Sequence, residues 1–208
     1  MGRVPDVRTP VPAHRPSRRH EIVAAAIRQF ARKGFVDASI ADIAAEADVA
    51  ATAVYYHFSG KEELFSEAVA HVFRSITEVV ATTRGDDGTV DASSLDRAID
   101  AVWDWIDEHP DEATLLYLQL PGATRRITTL RQEFEEVHTE RAFGYFAGHG
   151  RSRPSAARRS LETLTARTLV DLLISVHTMR LVDGPLSGEP GSELRDAVRR
   201  LATRLVSV

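Results

Sequence analysis

Four side chains that can bind phosphate lie close together between residues 55 and 61. Tyr55, Tyr56 and His57 are consecutive, and Lys61 follows four residues after His57. Two phenolic hydroxyls, an imidazole and an ammonium group can all donate hydrogen bonds to phosphate oxygens. Contacts of this kind set the register and orientation of a protein on a DNA duplex. The segment therefore indicates binding to a nucleic-acid backbone.

Apolar and capping residues predict the two short helices that position these side chains. Ser39 and Asp42 fit a capping box that opens the first helix, and Asp48 with Val49 supplies a turn. Apolar residues then recur at helical spacing on one face of each helix. They are Ile40, Ile43, Ala44 and Ala47 in the first helix, and Ala50, Val54 and Phe58 in a second helix from about Ala50 to Phe58.

Two helices joined in this way form a helix-turn-helix, whose second helix enters a DNA major groove. Ser59 with Glu62 caps the following helix and leaves Lys61 in its first turn. The alternative is an αα-hairpin whose tyrosines are half-buried against a neighbouring domain. The residues expected to face the duplex from the second helix are Ala51, Thr52, Ala53, Tyr55, Tyr56 and His57.

The segment from about Ile22 to Leu64 resembles the N-terminal domain of TetR/AcrR-type transcriptional regulators. The resemblance covers roughly a fifth of the chain, and the later helices fit the family only in length and number. It implies an all-α protein of about nine helices, a homodimer, and DNA contacts that include Ser39 and Lys61. The matching residues are Phe30, Lys33-Gly34-Phe35, Ser39, Asp42-Ile43-Ala44, Ala47, Val49, Tyr55, His57-Phe58 and Lys61.

Four residues depart from the family pattern. Asp48 stands at the turn glycine and reaches a left-handed conformation less readily than glycine does. Ala50, Thr52 and Ala53 stand where the family usually has Ser, Gly and Thr. Loss of the Ser removes a helix N-cap, which costs about 0.5–2 kcal/mol unless Asp48 or water replaces it. We expect the fold to be retained and the operator to differ.

No Arg, Lys, Asn or Gln lies between Ala50 and Phe58. The side chains that commonly read guanine and adenine are therefore absent from the second helix. Base readout would depend on thymine methyl groups touching Ala51, Ala53 and the Thr52 methyl, with help from the Thr52 and Tyr56 hydroxyls. We expect modest direct specificity, supplemented by DNA shape.

Residues 1–16 read as an extended, mobile basic arm with four prolines. Arg15, Arg18 and Arg19 precede the first helix, where an arm would enter a minor groove or touch phosphates. The alternative is a solvated terminus without contacts. The segment has no apolar stretch of the kind found in a signal peptide.

Charge and composition divide the chain into a basic head and an acidic body. Residues 1–61 have a net charge of +3, whereas the whole chain of 208 residues has −4. We divide the chain into the arm 1–16, a helix-turn-helix domain 17–62, and a helical ligand-binding and dimerisation domain 63–208.

The absence of cysteine excludes disulfides and thiol catalysis. No apolar run is long enough to cross a bilayer, and a cytoplasmic protein is expected.

The pattern after Lys61 is helical, with breaks at Gly and Pro. The fourth helix runs to about Thr83, and Ser93 with Asp96 caps a fifth that stops before Pro110. The remaining helices are expected at 111–120, at about 123–147, from Pro154 to about Val182, and from near Ser192.

The last two helices are predicted to form the dimer interface, because their leucines are spaced as in a helix–helix seam. A second reading head for a second half-site also favours a symmetric dimer. The alternative is that both helices only cover the monomer core. The interface residues expected are Leu161, Leu164, Leu169, Leu172, Leu173, Val176, Leu194, Val198, Leu201 and Leu205.

The middle helices are predicted to enclose a pocket for a small-molecule effector. Binding of the effector would tilt the fourth helix and so release the protein, acting as a repressor, from its operator. Ligand pockets are mostly apolar with a few placed polar groups. Each candidate has an alternative as an ordinary core aromatic or a histidine with a structural partner. The candidates are Trp103, Trp105, Tyr117, Phe134, His138, Arg141 and His177.

An enzyme is a competing class, but the sequence disfavours it. Glu135 and His138 form one carboxylate–histidine pair at i, i+3, and no second pair completes a di-iron site. Phosphate loops, nucleophile elbows and His-Glu-x-x-His are also missing. We predict no catalytic residue, no metal and no cofactor. A helical adaptor that binds protein rather than DNA is a third class, disfavoured by Tyr55, His57 and Lys61.

Overall fold

The computed structural model describes residues 18–84, 92–120, 124–145, 156–182, 186, 188 and 190–207. Over this part of the chain it contains nine α-helices, one 3₁₀ turn and no strand, which confirms the all-α prediction. The elements are α1 Arg18–Asp37, α2 Ile40–Glu46, α3 Ala51–His57, α4 Lys61–Ala81, α5 Ala92–Glu108, α6 Pro110–Leu118, α7 Arg125–Ala142, the 3₁₀ turn Phe143–Tyr145, α8 Ala156–Leu181 and α9 Gly191–Val206.

An aromatic cluster joins helices α1 to α3, which we call the head, to α4 through rings of α1. Phe30 of α1 is fully buried and meets Phe65 of α4 edge to face, with 4.8 Å between the ring centroids. Phe35 lies 4.9 Å from Phe65 and 6.2 Å from Phe30, so the three rings form one cluster. Because aromatic pairs of this geometry stabilise beyond their buried area, they fix α1 on the first half of α4.

Helices α4 to α9, which we call the body, extend the same core. Helix α4 contacts α1 in the head and also α5, α6 and α7. Helix α9 packs on α5 and α8, and α8 packs on α6 and α7. One continuous apolar cluster runs from Ile22 in α1 to Val206 in α9. Helix α4 is thus shared by head and body.

Three predicted helix starts are corrected. Ala50 is the exposed N-cap of α3, so only Val54 and Phe58 of the predicted inward face are buried. Gly60 is the N-cap of α4. The backbone N–H and hydroxyl of Ser59 both donate to the carboxylate of Glu63, at 2.7 and 2.6 Å, and not to Glu62.

The fifth helix begins at Ala92, so Ser93 lies within its first turn rather than at its cap. The predicted ends of helices four, six and seven each extend a few residues beyond the observed helix. The arm 1–16, Arg15 included, lies outside the described residues, as does Pro154 at the expected start of the eighth helix. No described helix has both the length and the apolar character that a bilayer span requires.

Candidate nucleic-acid interface and cavity

Helix α3 is anchored by one face and presents the other to solvent. Val54 and Phe58 are completely buried against the head. Tyr56 is 84% exposed and Tyr55 is 58% exposed, although large aromatic side chains usually bury most of their surface. Ala51 and Thr52 are exposed, and Ala53 and His57 are half-buried. The structure thus brings the predicted reading residues of α3 to one open surface.

The N-terminal cap of α2 and the turn between α2 and α3 both have the geometry that their residues predict. The Ser39 hydroxyl accepts from the backbone N–H of Asp42 at 3.1 Å and donates to its carboxylate at 2.8 Å. The bond from the hydroxyl to the carboxylate is the main reason why the pKa of the Asp42 carboxyl lies below its usual value, with a further contribution from Lys33. Asp48 adopts φ 51°, which confirms the left-handed turn residue. Ala50 caps α3 without a side-chain hydrogen bond.

Several basic residues of the head form ion pairs within it. Arg28 Nε donates to Glu46 Oε1 at 2.7 Å, and Arg32 pairs with the other oxygen of that carboxylate. Gln29 Nε2 also donates to Glu46, at 2.5 Å. The hydrogen bond from Arg28 is the main reason why the pKa of Glu46 is lowered. Lys33 pairs with Asp42 at 3.0 Å. Part of the positive charge counted in the sequence is therefore neutralised inside the head.

Lys61 lies in the first turn of α4, as predicted, but its ammonium group points to the end of α1. It donates to the carbonyl oxygens of Val36 at 2.9 Å and Ala38 at 3.0 Å. Its Nζ also lies 4.9 Å from the centroid of the Phe35 ring, within the range of a cation–π contact. Lys61 therefore caps α1, a role that sequence spacing did not reveal.

Arg19 is similarly occupied, whereas Arg18 is more open. Arg19 pairs with Glu67 of α4 at 3.1 Å and lies 5.0 Å above the Phe58 ring. Arg18 is exposed, and its guanidinium donates to the backbone oxygen of Asp48 at 3.4 Å. Arg18 thus lies beside the helix-turn-helix turn.

The body contains a cavity of about 70 Å³ that is lined by residues of α4 to α8 and of the 3₁₀ turn. Four of the seven predicted ligand residues line it: Tyr117, Phe134, His138 and Arg141. The other lining residues are Ile76, Val80, Leu95, Ala98, Ile99, Val102, Ala142, Tyr145, Leu169, Val170, Leu173 and Ile174. The cavity is thus apolar, with a few polar groups contributed mainly by α7.

The polar groups of the cavity are tied to α4. Arg141 donates through Nη2 to the backbone oxygen of Val80 and, at 3.3 Å, to the Thr83 hydroxyl. His138 Nε2 lies 3.3 Å from the Thr77 hydroxyl. Burial, with a smaller contribution from Arg141, lowers the pKa of His138 to about 4. The imidazole is therefore neutral at pH 7. Burial also raises the pKa of the Tyr117 phenol.

Three predicted ligand residues lie outside this cavity, and each has a structural partner. Trp103 lies under two guanidinium groups, 4.0 Å from Arg180 and 5.4 Å from Arg195. The buried His177 ring lies 5.2 Å from the Trp103 ring. Trp105 donates to the Ser75 hydroxyl at 3.0 Å. For Trp103, Trp105 and His177 the core alternative describes the structure better, because their polar atoms or faces are satisfied within the chain.

The predicted dimer residues separate into three groups by exposure. Leu164 is 66% exposed, and Leu161 and Leu201 are about half exposed. Leu169, Val176 and Val198 are buried in the monomer core, which corrects their assignment to an interface. Half-buried residues on the same two helices are Leu172, Leu173, Leu194 and Leu205.

The carboxylate–histidine pair on α7 is not assembled into a metal site. Glu135 pairs with Arg167 of α8, whereas His138 turns toward Thr77 of α4. In the ranges that the structure describes, no three His, Asp or Glu side chains are grouped closely enough to hold an ion.

Residues 22–68 match the family model described as bacterial regulatory proteins, tetR family. The HTH-type transcriptional repressor NicS of Pseudomonas putida is 30% identical over 98 residues, which cover 47% of this chain and 46% of NicS. The HTH-type transcriptional regulator BetI of Brucella anthropi is 36% identical over 61 residues, covering 29% of this chain and 31% of BetI. The chain thus spans less than half the length of these curated relatives.

The fold is shared over almost the whole chain. A solved TetR-family member from Streptomyces coelicolor superposes with a TM-score of 0.71 at 24% identity, covering 93% of this chain and all of that one. The resemblance seen in residues 22–64 and the all-α architecture are both confirmed. These matches are to transcription regulators rather than to enzymes.

Proposed function

We propose that this chain, whose residues 22–68 match the tetR family of bacterial regulatory proteins, is a transcriptional regulator that binds a double-stranded DNA operator through α3. The observation that carries the proposal is the exposure of Tyr55 and Tyr56 on a helix whose opposite face is fixed by Val54 and Phe58. A rigid helix with an open polar face fits a major groove.

Phosphate contacts in this proposal come from groups that the head does not use internally. The Tyr55 and Tyr56 hydroxyls and His57 meet that condition best. The exposed guanidinium of Arg18 comes next, since its bond to the Asp48 carbonyl is long, at 3.4 Å. The predicted contacts from Ser39, Arg19 and Lys61 compete with the bonds that these residues make within the chain. Base readout through Ala51, Thr52 and Ala53 favours thymine methyl groups and leaves much of the specificity to DNA shape.

A homodimer is the proposed binding unit. Two half-sites about 34–36 Å apart require two reading heads related by symmetry. The exposed leucines of α8 and α9, Leu161, Leu164 and Leu201, supply an apolar surface for packing against a second copy as a four-helix bundle. Such a regulator acts where the DNA is, which fits the expected cytoplasmic location.

The finer proposal is a repressor that a small-molecule effector releases from DNA. Helix α4 carries Lys61 at its head end, and its other end is held by Arg141 at the cavity. Displacement of Arg141 by a ligand would therefore tilt α4 and move the head. A coupling free energy of about 1–3 kcal/mol changes operator affinity about 5–150-fold.

Gel retention with the full chain tests DNA binding. The double variant Tyr55→Phe, Tyr56→Phe removes two hydroxyls and keeps both rings. We expect about a 5-fold or larger loss of affinity, since each hydrogen bond contributes about 0.5–1.5 kcal/mol. Arg204→Gln, an exposed cation on α9, is the matched control and should bind normally. Unchanged retention by the double variant would reject α3 as the reading helix. An adaptor protein would fail to retain even random DNA at low salt.

A further inference from the structure

We infer that the cavity of the body binds an amphipathic monocarboxylate, with the carboxylate on Arg141 and the apolar tail among the residues of α5 and α8. The regulatory meaning of this inference rests on the proposed function. The binding event itself does not, since it needs no DNA.

Arg141 is a cation at the edge of an apolar space. Its contacts are the Val80 carbonyl, the Thr83 hydroxyl and, through Nε at 3.3 Å, the Tyr145 hydroxyl. None of the carboxylates in the described ranges lies within ion-pair distance of it. Because a guanidinium beside apolar surface is stabilised by a negative charge, an anion is the ligand that this end of the cavity complements best. The planar guanidinium fork matches a carboxylate in particular.

The other polar groups at the Arg141 end of the cavity suit a ligand that carries a single negative charge. The Tyr145 oxygen accepts from Arg141, which leaves its own O–H available to donate to a carboxylate oxygen. His138 also lines the cavity, and its depressed pKa keeps it uncharged at pH 7. A single cation with a neutral donor beside it therefore favours a monoanion over a multiply charged ligand.

The rest of the wall selects for a slender apolar tail. Ala98, Ile99, Val102 and Leu173 face the space from α5 and α8. A cavity of about 70 Å³ is smaller than the roughly 150 Å³ that holds a benzene molecule. The bound state must therefore be larger than the cavity as it stands.

Phe134 is the residue whose movement would enlarge it. Its ring lines the cavity and also two surface grooves of about 360 and 260 Å³. It stacks on Phe73 of α4 with 4.5 Å between the centroids. Rotation of Phe134 would join the cavity to these grooves, so that a tail seated among the residues of α5 and α8 could extend between α4 and α7.

Arg141 also provides the link to regulation. It holds the end of α4 by donating to Val80, and a bound carboxylate would compete for the same guanidinium. Occupation of the cavity would thereby loosen the end of the helix that is shared with the head.

Calorimetric titration of the full chain at pH 7.5 tests the ligand class with three probes of equal length: octanoate, 1-octanol and octylamine. We expect octanoate to bind at least about tenfold more tightly than octanol, because a charge-assisted pair is stronger than a neutral hydrogen bond. Octylamine should bind least. Equal affinity for octanoate and octanol, tighter binding of octylamine, or no octanoate binding at its solubility limit would each overturn the inference.

Two variants locate the site. Arg141→Gln should remove the preference for octanoate over octanol. The control Arg167→Gln, which alters an arginine of α8 that pairs with Glu135, should keep it. Ala98→Leu places a larger side chain in the cavity and should abolish octanoate binding while the thermal transition shows a folded chain. Octanoate binding that survives Ala98→Leu, or a preference for octanoate over octanol that survives Arg141→Gln, would contradict the assignment. If octanoate fails to bind but operator DNA is retained, only this inference falls.

Discussion

Gln119 packs against the backbone of Gly34, where the end of α6 meets the end of α1. The Gln119 side chain donates through Nε2 to the Ala31 carbonyl at 3.3 Å. A Cβ atom on Gly34 would lie 3.0 Å from Gln119 Oε1. Gly34 itself has φ 73° and ψ 173°, a conformation that is almost restricted to glycine. A glycine in the head and a glutamine in the body are thus matched to each other.

The first prediction is that Gly34→Ala destabilises the chain by about 1–3 kcal/mol, the usual cost of a non-glycine residue in this region of φ and ψ. Chemical denaturation followed by circular dichroism measures the change. Gly60→Ser is the control. Gly60 has an extended φ of 168°, and a Cβ atom added there would meet no atom within 4 Å, so this variant should be as stable as the parent. Equal stability of Gly34→Ala and the parent would contradict the strain argument.

Replacement of the two lysines should separate a structural role from a surface role. Lys61→Met removes the hydrogen bonds to the Val36 and Ala38 carbonyls and should lower the free energy of unfolding by about 1–3 kcal/mol, since each bond contributes about 0.5–1.5 kcal/mol. Lys33→Met removes only an exposed pair with Asp42 and should cost about 0–1 kcal/mol. Urea denaturation of both variants provides the comparison. If Lys61 also contacts a phosphate, its loss would reduce the slope of log affinity against log salt concentration by about 1 per site.

Glu46 receives three donors from α1, and its replacement should loosen the head. Glu46→Gln weakens the bonds from Arg28, Gln29 and Arg32, and we expect a loss of about 1–3 kcal/mol. Because the pKa of Glu46 is lowered on folding, its contribution is present above the unfolded pKa of 4.5 and is lost as pH falls. Thermal unfolding at pH 7 and pH 4 measures both effects. Glu136→Gln, at an exposed site on α7, is the control, and a comparable loss there would reject the network as the cause.

The buried His177 predicts that the chain becomes less stable in acid. Burial, followed by the charge of Arg180, lowers its pKa from 6.5 to about 3. The unfolded chain therefore binds this proton first, and the free energy of unfolding should fall from about pH 6.5 toward pH 3. His177→Phe keeps a ring against Trp103 and should make this dependence shallower. Denaturation midpoints across the pH range test it, with the exposed His71→Gln as control. If the stability of His177→Phe falls with pH in parallel with that of the parent chain, His177 is not the cause of the acid sensitivity.

Charges placed on the exposed leucines should disrupt the proposed dimer. Leu164→Glu combined with Leu201→Glu puts carboxylates where an apolar surface would meet its copy, and we expect monomers in analytical ultracentrifugation. Val36→Glu is the control, since Val36 is 82% exposed but belongs to the head. A parent chain that already sediments as a monomer, or a double variant that stays dimeric, would exclude these leucines as the interface.

The sequence by itself determined the elements and much of the proposed reading surface. The period of apolar residues fixed which face of α3 is buried, and therefore which side Tyr55 and Tyr56 present. Asp48 could be recognised as a left-handed turn residue because few other side chains tolerate that conformation. These features depend on residues within a few positions of one another. Local spacing is enough to define them.

Only the tertiary structure decided how the charged and polar side chains are used. Lys61 and Val36 are 25 residues apart, and Arg141 and Val80 are 61 apart, so no local pattern joins them. The burial of Leu169, Val176 and Val198 depends likewise on how α5, α8 and α9 pack. A leucine on a helix has the same sequence signature whether it faces its own core or a second subunit. A cation has the same signature whether it caps a helix or binds DNA, because only its neighbours in space distinguish the two.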